Sequence, residues 1–191
     1  MGAAVSYRNK PHEESFVNNK LAINSALDSA DASTKKKALV MSMFMQETTH
    51  LTVNEGNRFK DHNINGSANF SALNMNEAVL KGNGTADAPG LSTFDPNVNL
   101  NDQADIGKAA VLCLDGIREH GPEAWIAGQR SGAPAAKRQD DTGTAVTGSG
   151  DHDYHNEFYK SVAAYYAAIL QDPALMTNEM RVENDTKPTY G

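Results

Sequence analysis

Two carboxylates, Glu47 and Asp61, are the residues whose surroundings best suit acid–base chemistry. Glu47 follows an apolar run over residues 38–45, so its carboxyl group is expected beside a dry wall, where lost hydration favours the protonated form. Asp61 lies between Lys60 and His62, where a cation and hydrogen bonds favour the ionised form. One protonated and one ionised carboxyl group is the pairing used in glycoside hydrolysis.

Each of these carboxylates also has a structural interpretation. Glu47 can be a glutamate at a helix end that reaches solvent, and Asp61 can be an aspartate in a turn, where this residue type is abundant. Taken one at a time, both residues are more often structural than catalytic. The chemical hypothesis depends on the two acting as a pair.

Metal and cofactor chemistry finds less support in the sequence. Glu47 and His50 form a Glu-x-x-His pair, but carboxylate-bridged di-iron sites need a second such pair, which the sequence lacks. His152, Asp153 and His155 could bind a metal ion, and acidic residues there equally suit the start of a helix. The sequence contains no phosphate-binding loop, dinucleotide-binding glycine motif or Gly-x-Ser-x-Gly. We expect neither a metal nor a cofactor.

Composition excludes several classes of protein. The 191 residues suit a single domain over residues 1–191, and the net charge of −7 disfavours a nucleic-acid partner. The longest apolar run is far shorter than the roughly 20 residues that span a bilayer, so no membrane association is expected. The single cysteine, Cys113, cannot form an intramolecular disulfide and is expected to be an inert core residue.

Asparagine is unusually frequent between residues 54 and 101. Amide side chains suit both sugar hydroxyls and turns, and turns are the commoner reason. Four Asn-x-Ser/Thr sequons, at Asn65, Asn69, Asn83 and Asn184, favour a secreted eukaryotic origin with the leader removed. A cytosolic location is the alternative that a single cysteine suggests.

The elements that must position these residues are mostly helical. Apolar spacing predicts helices over residues 13–28, 67–81, 102–120 and 154–170. A further helix is predicted from a cap at Asp31 or Ser33 to its end at Glu47. A further short helix begins at Pro122 and carries Trp125, which is either core or the floor of a sugar subsite. Alternation around 51–59 permits a small hairpin, and the polar tail after residue 180 is expected to be mobile. The predicted fold class is α+β, mainly helical.

Three segments carry a family resemblance: MSMFMQET over 41–48, KDHNINGSANF over 60–70 and ALNMN over 72–76. The passage over 65–76 resembles in layout the strand-to-helix passage of animal lysozymes. All three segments more closely resemble glycoside hydrolase family 134, the small β-1,4-mannanases of lysozyme-like fold. The resemblance implies a lysozyme-like domain with a small β-hairpin region beside the cleft. It also implies a secreted, fungal enzyme that inverts the anomeric centre, with Glu47 as acid and Asp61 as base.

The substrates that this resemblance implies are mannan, galactomannan or glucomannan, cleaved within the chain by a protein expected to be a monomer. From their positions in the sequence, we expect eight residues to bind sugar hydroxyls: His50, Lys60, His62, Asn69, Asn74, Trp125, Gln129 and Arg130. Three alternatives stay open: a lysozyme- or chitinase-like glycosidase, a carbohydrate-binding protein without catalysis, and a cytosolic helical interaction protein.

Overall fold

The described part of the chain is mainly helical, which confirms the predicted class at that level. The computed structural model describes residues 5–8, 14–47, 69–71, 73, 75–76, 80–82, 90–95, 105–122, 125–126 and 152–184. In chain order the elements are β1 (Val5–Arg8), α1 (Glu14–Ser29), α2 (Thr34–Glu47), β2 (Asn69–Phe70), β3 (Met75–Asn76), α3 (Ile106–His120), α4 (His152–Gln171), a 3₁₀ helix (Pro173–Met176) and β4 (Arg181–Asn184).

Helix α2 is the centre of the described fold. Almost every side chain from Ala38 to Gln46 is buried, and α2 contacts α1, α3, α4 and the 3₁₀ helix. A helix that is apolar on all sides can be stable in water only when neighbours cover all of it. The expectation of a fully buried helix at this place is confirmed.

The turn between α1 and α2 shows how α2 begins. Asp31 adopts a left-handed conformation with φ 52°, which reverses the chain after α1. Ser33 then provides the cap, because its hydroxyl accepts a hydrogen bond from the Lys36 backbone amide at 3.4 Å. Of the two predicted caps, Ser33 is the one observed. Arg118 on α3 holds the turn by donating to the Ala30 carbonyl at 2.8 Å.

The inward face of α1 differs from the predicted stripe at one position. Ile23 and Leu27 are fully buried, as their spacing indicates, but Leu21 is 46% exposed. The neighbouring Lys20 is buried instead, with 0% of its surface exposed. Apolar spacing alone gives no sign that a lysine occupies this part of the core.

Helix α3 begins at Ile106, four residues later than Asp102, the predicted start. The Asp105 carboxylate accepts from the Lys108 amide at 3.0 Å and so forms the N-cap. The predicted end is confirmed at Gly121, whose φ of 84° suits a residue without a Cβ.

The helix predicted over 67–81 is wrong for most of its length. Strands β2 and β3 pair antiparallel there, Asn69 opposite Asn76 and Phe70 opposite Met75. Ser71 turns the chain at φ 65°, and its hydroxyl accepts from the Leu73 amide at 3.2 Å. Apolar residues in this segment suit both a short helix and a hairpin, and the serine turn decides between them.

The prediction of a mobile tail after residue 180 is wrong for residues 181–184, which form β4; residues 185–191 lie outside the described part of the chain. Strand β4 pairs antiparallel with β1, with Tyr7 opposite Val182, and both strands contact α4. Pairing between positions so far apart in sequence leaves no local pattern to detect. The hairpin predicted over 51–59 lies outside the described residues. Within the described ranges, no helix is long and apolar enough to cross a membrane.

Lys20 connects α1 to the segment that leads into β4. Its ammonium group donates to the carbonyl oxygens of Asn178 at 3.1 Å and Met180 at 2.9 Å. Burial lowers the pKa of Lys20 from 10.5 to about 8, because a charged group loses hydration in the core.

This lowered pKa makes stability depend on pH in a defined direction. Between about pH 8 and 10.5 the unfolded chain keeps a proton on Lys20 that the folded chain has released, so the free energy of unfolding rises with pH. We expect this contribution to reach about 1–3 kcal/mol. Urea unfolding at several pH values should show a difference between the wild type and Lys20→Met that grows across this interval.

Lys35→Met, at an exposed lysine on α2, is the matched control and should differ from the wild type by an amount independent of pH. Parallel stability curves for the wild type and Lys20→Met would contradict the proposed coupling.

Candidate active site

The candidate site begins where the buried helix α2 ends. Glu47 is the last residue of α2 and is partly buried. Before it, Ala38 and every residue from Val40 to Gln46 are buried. Ser42, the one hydroxyl in this run, is satisfied by donating to the Ala38 carbonyl at 2.6 Å. The predicted position of Glu47 at the edge of a dry helix is therefore observed.

Gln46, the residue before Glu47, belongs to a buried polar network. Its Oε1 accepts a hydrogen bond from the Ser161 hydroxyl on α4. Asn184 of β4 donates through Nδ2 to the Ser161 hydroxyl at 3.0 Å and to the Ser161 carbonyl at 2.8 Å. The side chains of Gln46 and Ser161 are fully buried. Side chains of α2, α4 and β4 thus meet at the residue that precedes Glu47 in the chain.

The two polar atoms of the Gln46 amide differ in their bonding. Its Oε1 accepts from Ser161, whereas its Nε2 has no hydrogen-bond partner among the described residues. A buried donor without a partner costs about 1–3 kcal/mol.

This network was missed at the level of sequence, although each member left a signal. Gln46 is a polar residue that directly follows an apolar run, and Ser161 interrupts the apolar stripe of the last helix. Asn184 was identified only as a sequon. A polar side chain on an otherwise apolar helix face is a reason to look for a buried partner.

Most of the other predicted site residues lie outside the described part of the chain. Asn69 is described through its backbone, in β2 opposite Asn76. The residues outside the described part of the chain are His50, Lys60, Asp61, His62, Asn74, Gln129 and Arg130.

Trp125 is a core residue, which decides between its two interpretations. It is 1% exposed, its indole nitrogen donates to the Cys113 sulfur at 3.4 Å, and its ring stacks on His120. A Cβ added to Gly116 would lie 2.3 Å from the ring, so a glycine is needed there for the ring to fit. A ring covered in this way offers no face to a sugar, and its placement among the substrate-binding residues is corrected.

Cys113 is buried, as predicted, and is chemically quiet. Burial raises the pKa of its thiol to about 12, against a small opposing effect of the Trp125 hydrogen bond. The thiolate is the reactive form of cysteine, so this thiol is a poor nucleophile near neutral pH.

No metal-binding cluster of three or more His, Cys, Asp or Glu residues occurs among the described residues. His152, Asp153 and His155 lie in the first turn of α4, which agrees with their interpretation as a helix start.

Comparison with known proteins gives no relative from which to transfer a function. No protein-family model matches the sequence, and a search of curated proteins finds no significant match.

The Asn184 sequon has a structural consequence that can be tested. Nδ2 is the atom to which an N-linked glycan is attached, and here it makes two hydrogen bonds to Ser161. We expect chains that carry a glycan on Asn184 to lose this network and to melt at a lower temperature. Mass spectrometry of protein from a glycosylating host, before and after separation of glycoforms, measures both occupancy and stability. Full occupancy of Asn184 with an unchanged melting temperature would contradict the prediction.

Proposed function

We propose that this protein is an endo-acting β-1,4-mannanase of lysozyme-like fold, which hydrolyses mannan-type polysaccharides with inversion of the anomeric centre. Glu47 is the general acid and Asp61 the general base. The observation that carries the proposal is the position of Glu47, a partly buried residue that ends α2 directly after the buried segment from Ala38 to Gln46. Further support comes from the family resemblance of the segments around both carboxylates.

The end of a buried helix is a suitable place for a general acid. A carboxyl group that loses part of its hydration is penalised in its charged form. The C-terminus of a helix also carries a partial negative charge, which disfavours a second negative charge by about 0.3–1 kcal/mol. A general acid must hold its proton before the reaction, so the proposal requires a protonated Glu47 at this position.

The hairpin after α2 supports the lysozyme-like part of the proposal. Animal lysozymes place their acid at the end of a helix and follow it with a small β region. Here Glu47 ends α2, and the described hairpin of β2 and β3 comes before the next long helix. This order of elements is what the proposal requires, and it is also the reason that a lysozyme- or chitinase-like glycosidase is the second candidate.

In the proposed reaction Glu47 donates its proton to the leaving glycosidic oxygen while the bond from that oxygen to the anomeric carbon breaks. Asp61 removes a proton from a water molecule that attacks the same carbon from the opposite face. The product has inverted configuration, and exchange of protons with solvent restores both carboxyl groups. An inverting pair requires roughly 6.5–9.5 Å between the carboxyl groups, compared with about 5–5.5 Å for a retaining pair.

The test is a reducing-end assay with the wild type, Glu47→Gln and Asp61→Asn on linear mannan, galactomannan, chitin oligosaccharides and peptidoglycan. We expect the wild type to cleave mannan, and each variant to lose about 10²–10⁴-fold in kcat because it cannot transfer its proton. Both substitutions preserve side-chain shape, so the melting temperature should stay close to that of the wild type.

Glu119→Gln is the matched control, since it makes the same change at a glutamate on α3 that bonds Ser92. It should cleave mannan at the wild-type rate. Wild-type activity in Glu47→Gln would remove Glu47 as the acid. Cleavage of chitin oligosaccharides or peptidoglycan instead of mannan would favour the second candidate, and binding without new reducing ends would indicate a carbohydrate-binding protein.

A further inference from the structure

We infer that Gln46, Ser161 and Asn184 are positioning residues that fix the last turn of α2 and thereby the carboxyl group of Glu47. The inference rests on the proposed function, because it assigns the network its purpose at the site of the general acid. It adds residues that neither the sequence pattern nor the family resemblance indicates.

The end of a helix needs an external tether if a side chain there must be held accurately. The last four carbonyl groups of any helix lack partners within the helix, so the final turn is the part that opens most easily. Glu47 occupies this turn of α2. Gln46 lies beside it in the chain and is bound to α4 through Ser161.

The tether is a directed chain of hydrogen bonds across three elements. Asn184 Nδ2 donates to the Ser161 hydroxyl, and the Ser161 hydroxyl donates in turn to Gln46 Oε1. Successive bonds of this kind polarise and strengthen one another in a medium of low dielectric constant. The second Asn184 bond, to the Ser161 carbonyl at 2.8 Å, also connects β4 to the backbone of α4.

A contribution to stability alone is a weak explanation of this network. Well-packed apolar side chains often stabilise a core as well as or better than buried polar groups. The Gln46 amide also leaves Nε2 without a partner among the described residues, while the whole side chain is 0% exposed. Orientation of the last turn of α2 is the role that fits an amide whose Nε2 has no partner among the described residues.

Gln46 Nε2, which has no partner among the described residues, allows the effect of Gln46 on the position of Glu47 to be separated from its effect on the stability of the fold. Gln46→Met removes a buried Nε2 that has no partner among the described residues, but it also leaves the buried Ser161 hydroxyl without its acceptor, so its two effects on folding oppose each other. We expect a melting temperature near that of the wild type. On mannan we expect kcat to fall about tenfold with KM changed by less than about twofold, because a displaced acid impairs proton transfer more than binding.

Ser161→Ala should lower kcat similarly, and Ser161→Thr, which keeps the hydroxyl, should recover most of the loss. In the double variant Gln46→Met with Ser161→Ala, the loss in kcat should match that of either single variant, because both remove the same bond. Val182→Ala is the matched control: it loosens β4 by removing buried apolar contacts but leaves the network intact. It should lower the melting temperature and leave kcat unchanged below it.

Hydrogen exchange at the backbone amides of Gln46 and Glu47 provides a readout that does not depend on activity. We expect exchange about tenfold faster in Gln46→Met and Ser161→Ala than in the wild type, since the last turn opens more often without its tether. Unchanged exchange in both variants would overturn the inference, and so would faster exchange with undiminished kcat. If the wild type releases no reducing ends from mannan, the proposed function fails, whereas the exchange rates still decide whether the network anchors α2.

Discussion

The burial of α2 from Ala38 to Gln46 is the constraint on which the described structure depends. A helix that carries Val40, Met41, Met43 and Phe44 around its circumference cannot leave any face in water, so α1, α3, α4 and the 3₁₀ helix must surround it. The neighbouring helices are therefore arranged by the requirement to cover α2. The same requirement places Glu47 at the point where this covered segment ends.

Polar groups inside this apolar assembly determine how its parts are aligned. Lys20 reaches the carbonyl groups that precede β4, and Asn184 of β4 reaches Ser161 on α4. Apolar packing tolerates small shifts between elements, whereas hydrogen bonds require particular distances and angles. Strand β4 thus joins the core through Val182, although its other residues are polar.

The sequence was most informative where periodic apolar residues and local caps act together. Helices α1, α2 and α4 were predicted to within about two residues, and Gly121 was identified as the end of α3. The failures have two physical causes. The segment over 67–81 has apolar residues compatible with helix and strand, and the left-handed Ser71 made it a hairpin. Strand β4 depends on a partner at the other end of the chain, which no local pattern reveals. Near the candidate site, the sequence predicts the end of α2 at Glu47, where the structure has it. Trp125 is assigned to the core only by its burial, and the Gln46 network depends on the packing of α2 on α4.

We propose that Glu47, at the end of α2, protonates a glycosidic bond while a water molecule activated by Asp61 attacks from the opposite face. Proton NMR of a β-1,4-linked mannan oligosaccharide during hydrolysis tests this directly, because the first product anomer appears before mutarotation. We expect the α-anomer of the new reducing end to appear first. Initial appearance of the β-anomer would mean a retaining reaction and would contradict the assigned roles of Glu47 and Asp61.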